Sequence, residues 1–127
     1  MKIRNIILIK YLIVLFASAI LFSCSSIHYD EMVIIGNIKE KQNIVFNIDK
    51  DRPVHSVLIK LIGEIEGTAV LNIVSNEGIQ DTLKLGKGAI DQSINKEWYS
   101  DKCILEYKPL DVKSGQITIK YKIKYIK

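Results

Sequence analysis

Gln116-Ile-Thr-Ile-Lys-Tyr-Lys-Ile-Lys-Tyr125, followed by Ile126, alternates strictly between polar and apolar residues. Successive side chains of a β-strand point to opposite faces. Ile117, Ile119, Tyr121, Ile123 and Tyr125 therefore share one face, and Thr118, Lys120, Lys122 and Lys124 share the other. No α-helix gathers residues at a spacing of two onto one side. The stretch predicts a half-buried strand with an Ile/Tyr stripe toward a core and lysines toward water. Lysines on such a strand also discourage edge-to-edge pairing with other chains.

Working back from this strand, seven further Ile/Val-rich runs lie near 32–38, 44–48, 54–62, 68–74, 79–85, 89–94 and 103–107. Turn residues separate them. Gly63-Glu-Ile-Glu-Gly67, Ser75-Asn-Glu-Gly78 and Gly86-Lys-Gly88 supply small residues and positive-φ candidates. The connection 108–115 holds Pro109, which is not expected to join a central strand ladder. No long helical period is present; a short helical turn is expected at most, near 91–98. Strand-sized runs at this spacing predict an all-β domain. The best fit is one antiparallel sandwich of about eight strands, jelly-roll or immunoglobulin-like in topology, with a lipocalin-like barrel as the alternative. The turn-rich pattern and single late Trp98 resemble small jelly-roll modules of exported bacterial proteins.

The first 23 residues differ in kind. Lys2, Arg4 and Lys10 precede an apolar run, 11–22, with Ser18 as its one polar residue. Small and polar residues follow: Ser23, Cys24, Ser25 and Ser26. Basic start, short apolar middle and small-residue exit are the layout of a secretory signal peptide. The run is also shorter than the roughly 20 apolar residues a membrane-spanning helix needs. Leu21-Phe22-Ser23-Cys24 resembles the lipobox of bacterial lipoproteins, with Leu three positions before the Cys and a small residue just before it. Phe22 departs from the commoner small residue at its position. The resemblance implies that Cys24 receives a diacylglyceryl group and becomes the first mature residue. It further implies attachment to the cell envelope, and Ser25 in place of an inner-membrane Asp favours the outer membrane. The expected organisation is a signal peptide at 1–23, a lipid-anchored tether at 24–30 and a β-sandwich at 31–127.

Removing residues 1–23 changes the charge balance. The whole chain is +4, but the mature part has 15 basic against 14 acidic residues, or +1. A nearly neutral exported domain gives no electrostatic case for nucleic acid. Residues 112–127 hold five lysines and no acid, so the C-terminal strand is locally basic. With Cys24 acylated, Cys103 has no intramolecular partner, and stability must come from packing.

Residues with catalytic potential are sparse. The two histidines are His28, in the tether, and His55, in a strand run. There is no G-x-S-x-G, and Cys103 opens a strand as a small core residue. Asn47, Asp49 and Asp51 alternate as oxygen ligands for calcium do, but the glycine and distal Glu of an EF-hand are missing. No cofactor or metal site is expected, and the chain does not read as an enzyme. The candidate ligand-binding residues are Trp98, Tyr99 and Asp101, where aromatic faces and a carboxylate adjoin in a loop. The competing explanation makes Trp98 a plug in the open end of the core and Asp101 a turn cap. The functional expectation is a lipid-anchored, non-catalytic module binding an envelope protein, peptide or glycan. The alternative is a structural subunit of an envelope assembly; a small-ligand carrier or glycan-active enzyme fits less well.

Overall fold

In a computed structural model, residues 28–127 are described and fold as two antiparallel four-stranded sheets. The expected signal peptide, Cys24 and the first part of the tether lie outside the described residues. The strands are β1 (Glu31–Ile34), β2 (Gln42–Val45), β3 (Val54–Glu66), β4 (Ala69–Ser75), β5 (Gly78–Leu85), β6 (Gly88–Glu97), β7 (Ile104–Pro109) and β8 (Ser114–Tyr125). Each of the eight runs expected from sequence contains a strand, although β1 and β2 stop early, at Ile34 and Val45.

One sheet has the order β1-β8-β3-β6 and the other β2-β7-β4-β5. The outermost pairs, β1 with β8 and β2 with β7, and the inner pairs, β3 with β6 and β4 with β5, nest within one another. The chain is thus one long hairpin wound into two layers, which is the jelly-roll arrangement. An up-and-down barrel would pair each strand with its successor, yet here only β4 and β5 are such neighbours.

The pleat aligns the core. Val57, Ile59 and Leu61 of β3 stand opposite Ile123, Tyr121 and Ile119 of β8. Leu71 and Ile73 of β4 stand opposite Tyr107 and Leu105 of β7. These side chains are buried and form one cluster between the layers. Each buried Leu or Ile contributes about 1.5–3 kcal/mol of apolar burial. Three tyrosines join core to loops. The Tyr107 hydroxyl donates to the Ile38 carbonyl at 2.7 Å. The Tyr121 and Tyr125 hydroxyls accept the Asn47 and Asp49 amide N–H groups. Phe46 stacks on Tyr121 with ring centroids 3.8 Å apart.

Three local expectations are corrected. Gly63-Glu-Ile-Glu-Gly67 is not a break, because β3 continues through Gly63 to Glu66. Gly63 has φ +151°, and a Cβ there would collide with the backbone carbonyl of Gln116. The glycine lets β8 run close beside β3, so it serves pairing rather than turning. The segment near 91–98 is not helical, because β6 extends to Glu97 against β3. The lysine-bearing β8 is an interior strand, pairing with both β1 and β3. Pro109 does end a central strand, opposite Ala69. The next N–H, that of Leu110, donates toward β4, to Thr68. The Pro109 nitrogen therefore faces the β2 side, where pairing stops at Tyr107, and no ladder bond is lost.

Candidate functional site

The β4–β5 turn and the β6–β7 connection meet at one end of the sandwich. Ser75 closes β4, and its hydroxyl accepts from the Glu77 amide at 3.1 Å and the Gln80 side chain at 3.0 Å. Gly78 takes the positive φ, +110°, that completes this tight turn. Across from it, β6 ends at Glu97, and the Trp98 amide donates to the His55 carbonyl at 3.0 Å. The Trp98 indole N–H donates to the Lys102 carbonyl at 3.0 Å. That bond closes a short loop over Tyr99, Ser100 and Asp101.

The two segments are tied to each other. Asn76 donates from its side-chain amide to Asp101 Oδ1 at 2.9 Å, and from its backbone to Ser100 Oγ at 3.4 Å. Ser100 Oγ also accepts the Lys102 amide at 3.0 Å. Behind them, Lys96 donates to the Gln80 carbonyl at 3.0 Å and lies 3.8 Å from Asp81. The Tyr99 hydroxyl donates to Glu97 Oε2 at 2.8 Å. This hydrogen bond, with the Glu97 charge, holds the Tyr99 phenol above its usual pKa.

Between the segments lies an open cleft of about 220 Å³, lined chiefly by Ser75, Asn76, Gln80, Glu97, Tyr99 and Ser100. Drug-sized pockets run to about 300–1,000 Å³, so this cleft suits one ring or a chain end. Its walls carry hydroxyl, amide and carboxylate groups beside one exposed aromatic ring. That combination can hydrogen-bond a polyol while one face of the ligand lies on the ring.

The structure brings Trp98, Tyr99 and Asp101 to this end of the molecule but gives them separate positions. Trp98 borders the cleft but is only 2% exposed, so its indole lies mostly in the core and offers little surface to a ligand. Tyr99, 80% exposed, presents the aromatic face instead. Asp101 holds Asn76 across the gap. Sequence reasoning missed Ser75, Asn76, Gln80 and Glu97. Ser75-Asn-Glu-Gly78 was legible as a turn, but nothing local linked it to residues 97–101.

Other sequence candidates stay apart. His55 lies in β3, its Nδ1 3.2 Å from Ser56 Oγ. Asp49 accepts the Asp51 amide at 3.0 Å, the signature of a local turn. Among the described residues no cluster of three or more His, Cys, Asp or Glu side chains is arranged to hold a metal. Cys103 is fully buried, and burial pushes its thiol up to about 12. It is the unreactive form of a cysteine at neutral pH.

No protein-family model and no curated protein matches this chain. Solved structures with a similar course include PirA, at 10% identity and TM-score 0.47, covering 78% of this chain and 98% of that one. The coat protein of Tobacco streak virus is similar at 14% identity and TM-score 0.41, over 81% and 93%. The carbohydrate-binding module CBM36, solved with calcium and xylotriose, is similar at 10% identity and TM-score 0.37, over 73% and 78%. At these TM-scores the jelly-roll assignment rests on the strand order of the chain itself.

Proposed function

We propose that this chain is an exported, lipid-anchored and non-catalytic binding protein of the bacterial cell envelope. Its ligand site is the cleft between the β4–β5 turn and the β6–β7 loop. The anchor is the acylated Cys24, and several acyl chains on one residue make a durable tether. Ser25 favours the outer membrane. The observation that carries the binding reading is the cleft's construction: a polar floor beside the exposed Tyr99, with both walls cross-linked by side chains. Such a surface is pre-ordered, so a ligand does not have to offset the entropy of arranging it. Glycan chain ends, with many hydroxyls and one apolar ring face, match it better than apolar peptides. Glu97 and Asp101 support the non-catalytic reading, because each is engaged in holding a wall, by Tyr99 and by Asn76.

The test is binding of the mature protein to immobilised envelope polysaccharides and to peptides. The expected result is polysaccharide binding that weakens about tenfold in Tyr99→Ala, a loss of roughly 1.4 kcal/mol. Unchanged Trp98 emission in the variant shows an intact core. Equal binding by wild type and Tyr99→Ala, or capture of peptides alone, overturns the site. Labelled palmitate tests the anchor separately, entering the wild type and not Cys24→Ala.

A further inference from the structure

We infer that two copies of this protein pair face to face through the outer surface of the β2-β7-β4-β5 sheet, about a two-fold axis parallel to the strands. Val45, Ile104, Val74 and Ile79 are register partners in turn, from β2 through β7 and β4 to β5. They form one apolar row across the whole sheet. Their neighbours along the strands fix which way they point: Ile44 and Phe46, Cys103 and Leu105, and Ile73 all belong to the core. The row therefore lies outside. Val45 is 67% exposed and Ile79 57%, while Val74 and Ile104 are half-buried. An unbroken aliphatic row in water is unfavourable, and covering it drives association.

The row fits a second copy of itself. It reads Val, Ile, Val, Ile, and a two-fold axis along the strands reverses it. Each Val then faces an Ile: Val45 lies over Ile79 of the second copy, and Ile104 over its Val74. The next row reads Asn43, Glu106, Asn72 and Thr82. Reversal sets Glu106 against Asn72 and Asn43 against Thr82, so no two carboxylates meet. Lysines stand farther along: Lys108 and Lys84 flank Val70, and Lys41 precedes β2. These outer lysines repel across the pair, so added salt tightens it.

The tether agrees with this axis. The Asp30 amide donates to the Tyr121 carbonyl at 3.1 Å, and the chain before it leads toward the end where β8 finishes. An axis parallel to the strands leaves those ends of both copies pointing the same way, so both tethers reach one membrane. An axis along the row would send them in opposite directions. Four strands and three outward rows cover about 400 Å² of sheet per copy. A stable complex buries about 800 Å² per partner, so the pair is transient in solution. Copies held on one membrane meet at a far higher effective concentration, which favours the pair there. The inference rests on the lipid-anchored reading for that concentration and for the tether argument; the self-complementary row is independent of it.

The experiment uses the mature protein in phosphatidylcholine vesicles, with the acyl group on Cys24 read by mass spectrometry. Variants Val45→Cys and Ile79→Cys are mixed and oxidised. The expected result is a mixed disulfide dimer in several-fold the yield of either variant alone. Like positions of the two copies stand three strand spacings apart, about 14 Å, and do not meet. Adding Val74→Lys to both variants should remove the mixed dimer, and high salt should raise its yield. Unchanged Trp98 emission shows that the fold is intact. Equal yields from the mixture and from the single variants overturn the pairing. Val45→Cys joining chiefly to itself places the axis along the row and overturns it as well. If Cys24 carries no acyl group, the same mixture, with Cys24→Ala, is oxidised in solution at rising protein concentration. Mixed dimers there keep the face and overturn the anchor; their absence overturns the face. A polysaccharide or peptide that shields both cysteines from a maleimide, with no mixed dimer formed, gives the row another occupant and overturns the inference.

Discussion

Two residues carry structural roles that are sharply testable one at a time. At Gly63 a methyl group meets the Gln116 carbonyl of the neighbouring strand, and φ is positive. Gly88 is also at positive φ, +106°, but nothing lies within 4 Å of its Cβ position. Gly63→Ala is therefore expected to destabilise by on the order of 3 kcal/mol or more, and Gly88→Ala by about 1–2 kcal/mol from backbone strain alone. Chemical denaturation measures the difference, and equal losses would remove the close-approach explanation. Asp111 is the second case. Its carboxylate accepts both the amide and the hydroxyl of Thr68, and those bonds hold its pKa below the usual Asp value. A depressed folded-state pKa stabilises above the unfolded value, near 3.9, and that contribution disappears as pH falls through the folded value. Wild type should accordingly exceed Asp111→Asn in stability at neutral pH, with the gap closing below about pH 4. A gap independent of pH is the contrary result.

At the scale of elements, the cleft depends on a turn and a loop held together from opposite sheets' edges. β5 and β6 are those edges, so no ladder hydrogen bonds join them. Side chains make the connection instead: Asn76 with Asp101 and Ser100, and Lys96 with Gln80. Asn76→Ala should leave the β4–β5 ladder intact and raise amide exchange in residues 98–102 selectively, as local opening without global unfolding. Exchange rising equally in β7 would show that the tie supports the whole sandwich. This arrangement also explains what was legible. The turn at Ser75 to Gly78 and the aromatic loop at Trp98 and Tyr99 each announced themselves locally. Their adjacency comes from β4–β5 and β6–β7 reversing at the same end, which no local pattern encodes. Trp98 likewise carried two readings, ligand platform and core plug, with the plug the preferred one. Its spacing from neighbours could not decide, because the void it fills is formed by strands distant in sequence.

For the whole molecule, the nested pairing sets the folding problem. β1 closes on β8 and β2 on β7 across most of the chain, so most stabilising contacts are long-range. Chains of this topology fold in milliseconds to seconds rather than microseconds. Trp98, the sole tryptophan, is buried at one end of the single core and reports on it. Its emission and the far-ultraviolet circular dichroism should unfold in one coincident denaturant transition. Two separated transitions would show that the layers unfold independently. The same topology places β1 and the tether at one edge of the lysine-bearing sheet and the cleft at the opposite edges. The cleft therefore lies away from the edge where the chain enters the sheet.

The sequence by itself determined the strands, their inward faces and the distinct first 23 residues. Alternation at a period of two and an uninterrupted apolar run are local properties, readable wherever they occur. The jelly-roll order, the passage of β3 through Gly63, the interior place of β8 and the joining of Asn76 to Asp101 were decided only by the tertiary structure. Each depends on which distant strands share a ladder. That choice is made by fitting two apolar faces together across the core, and many strand orders satisfy the same alternation.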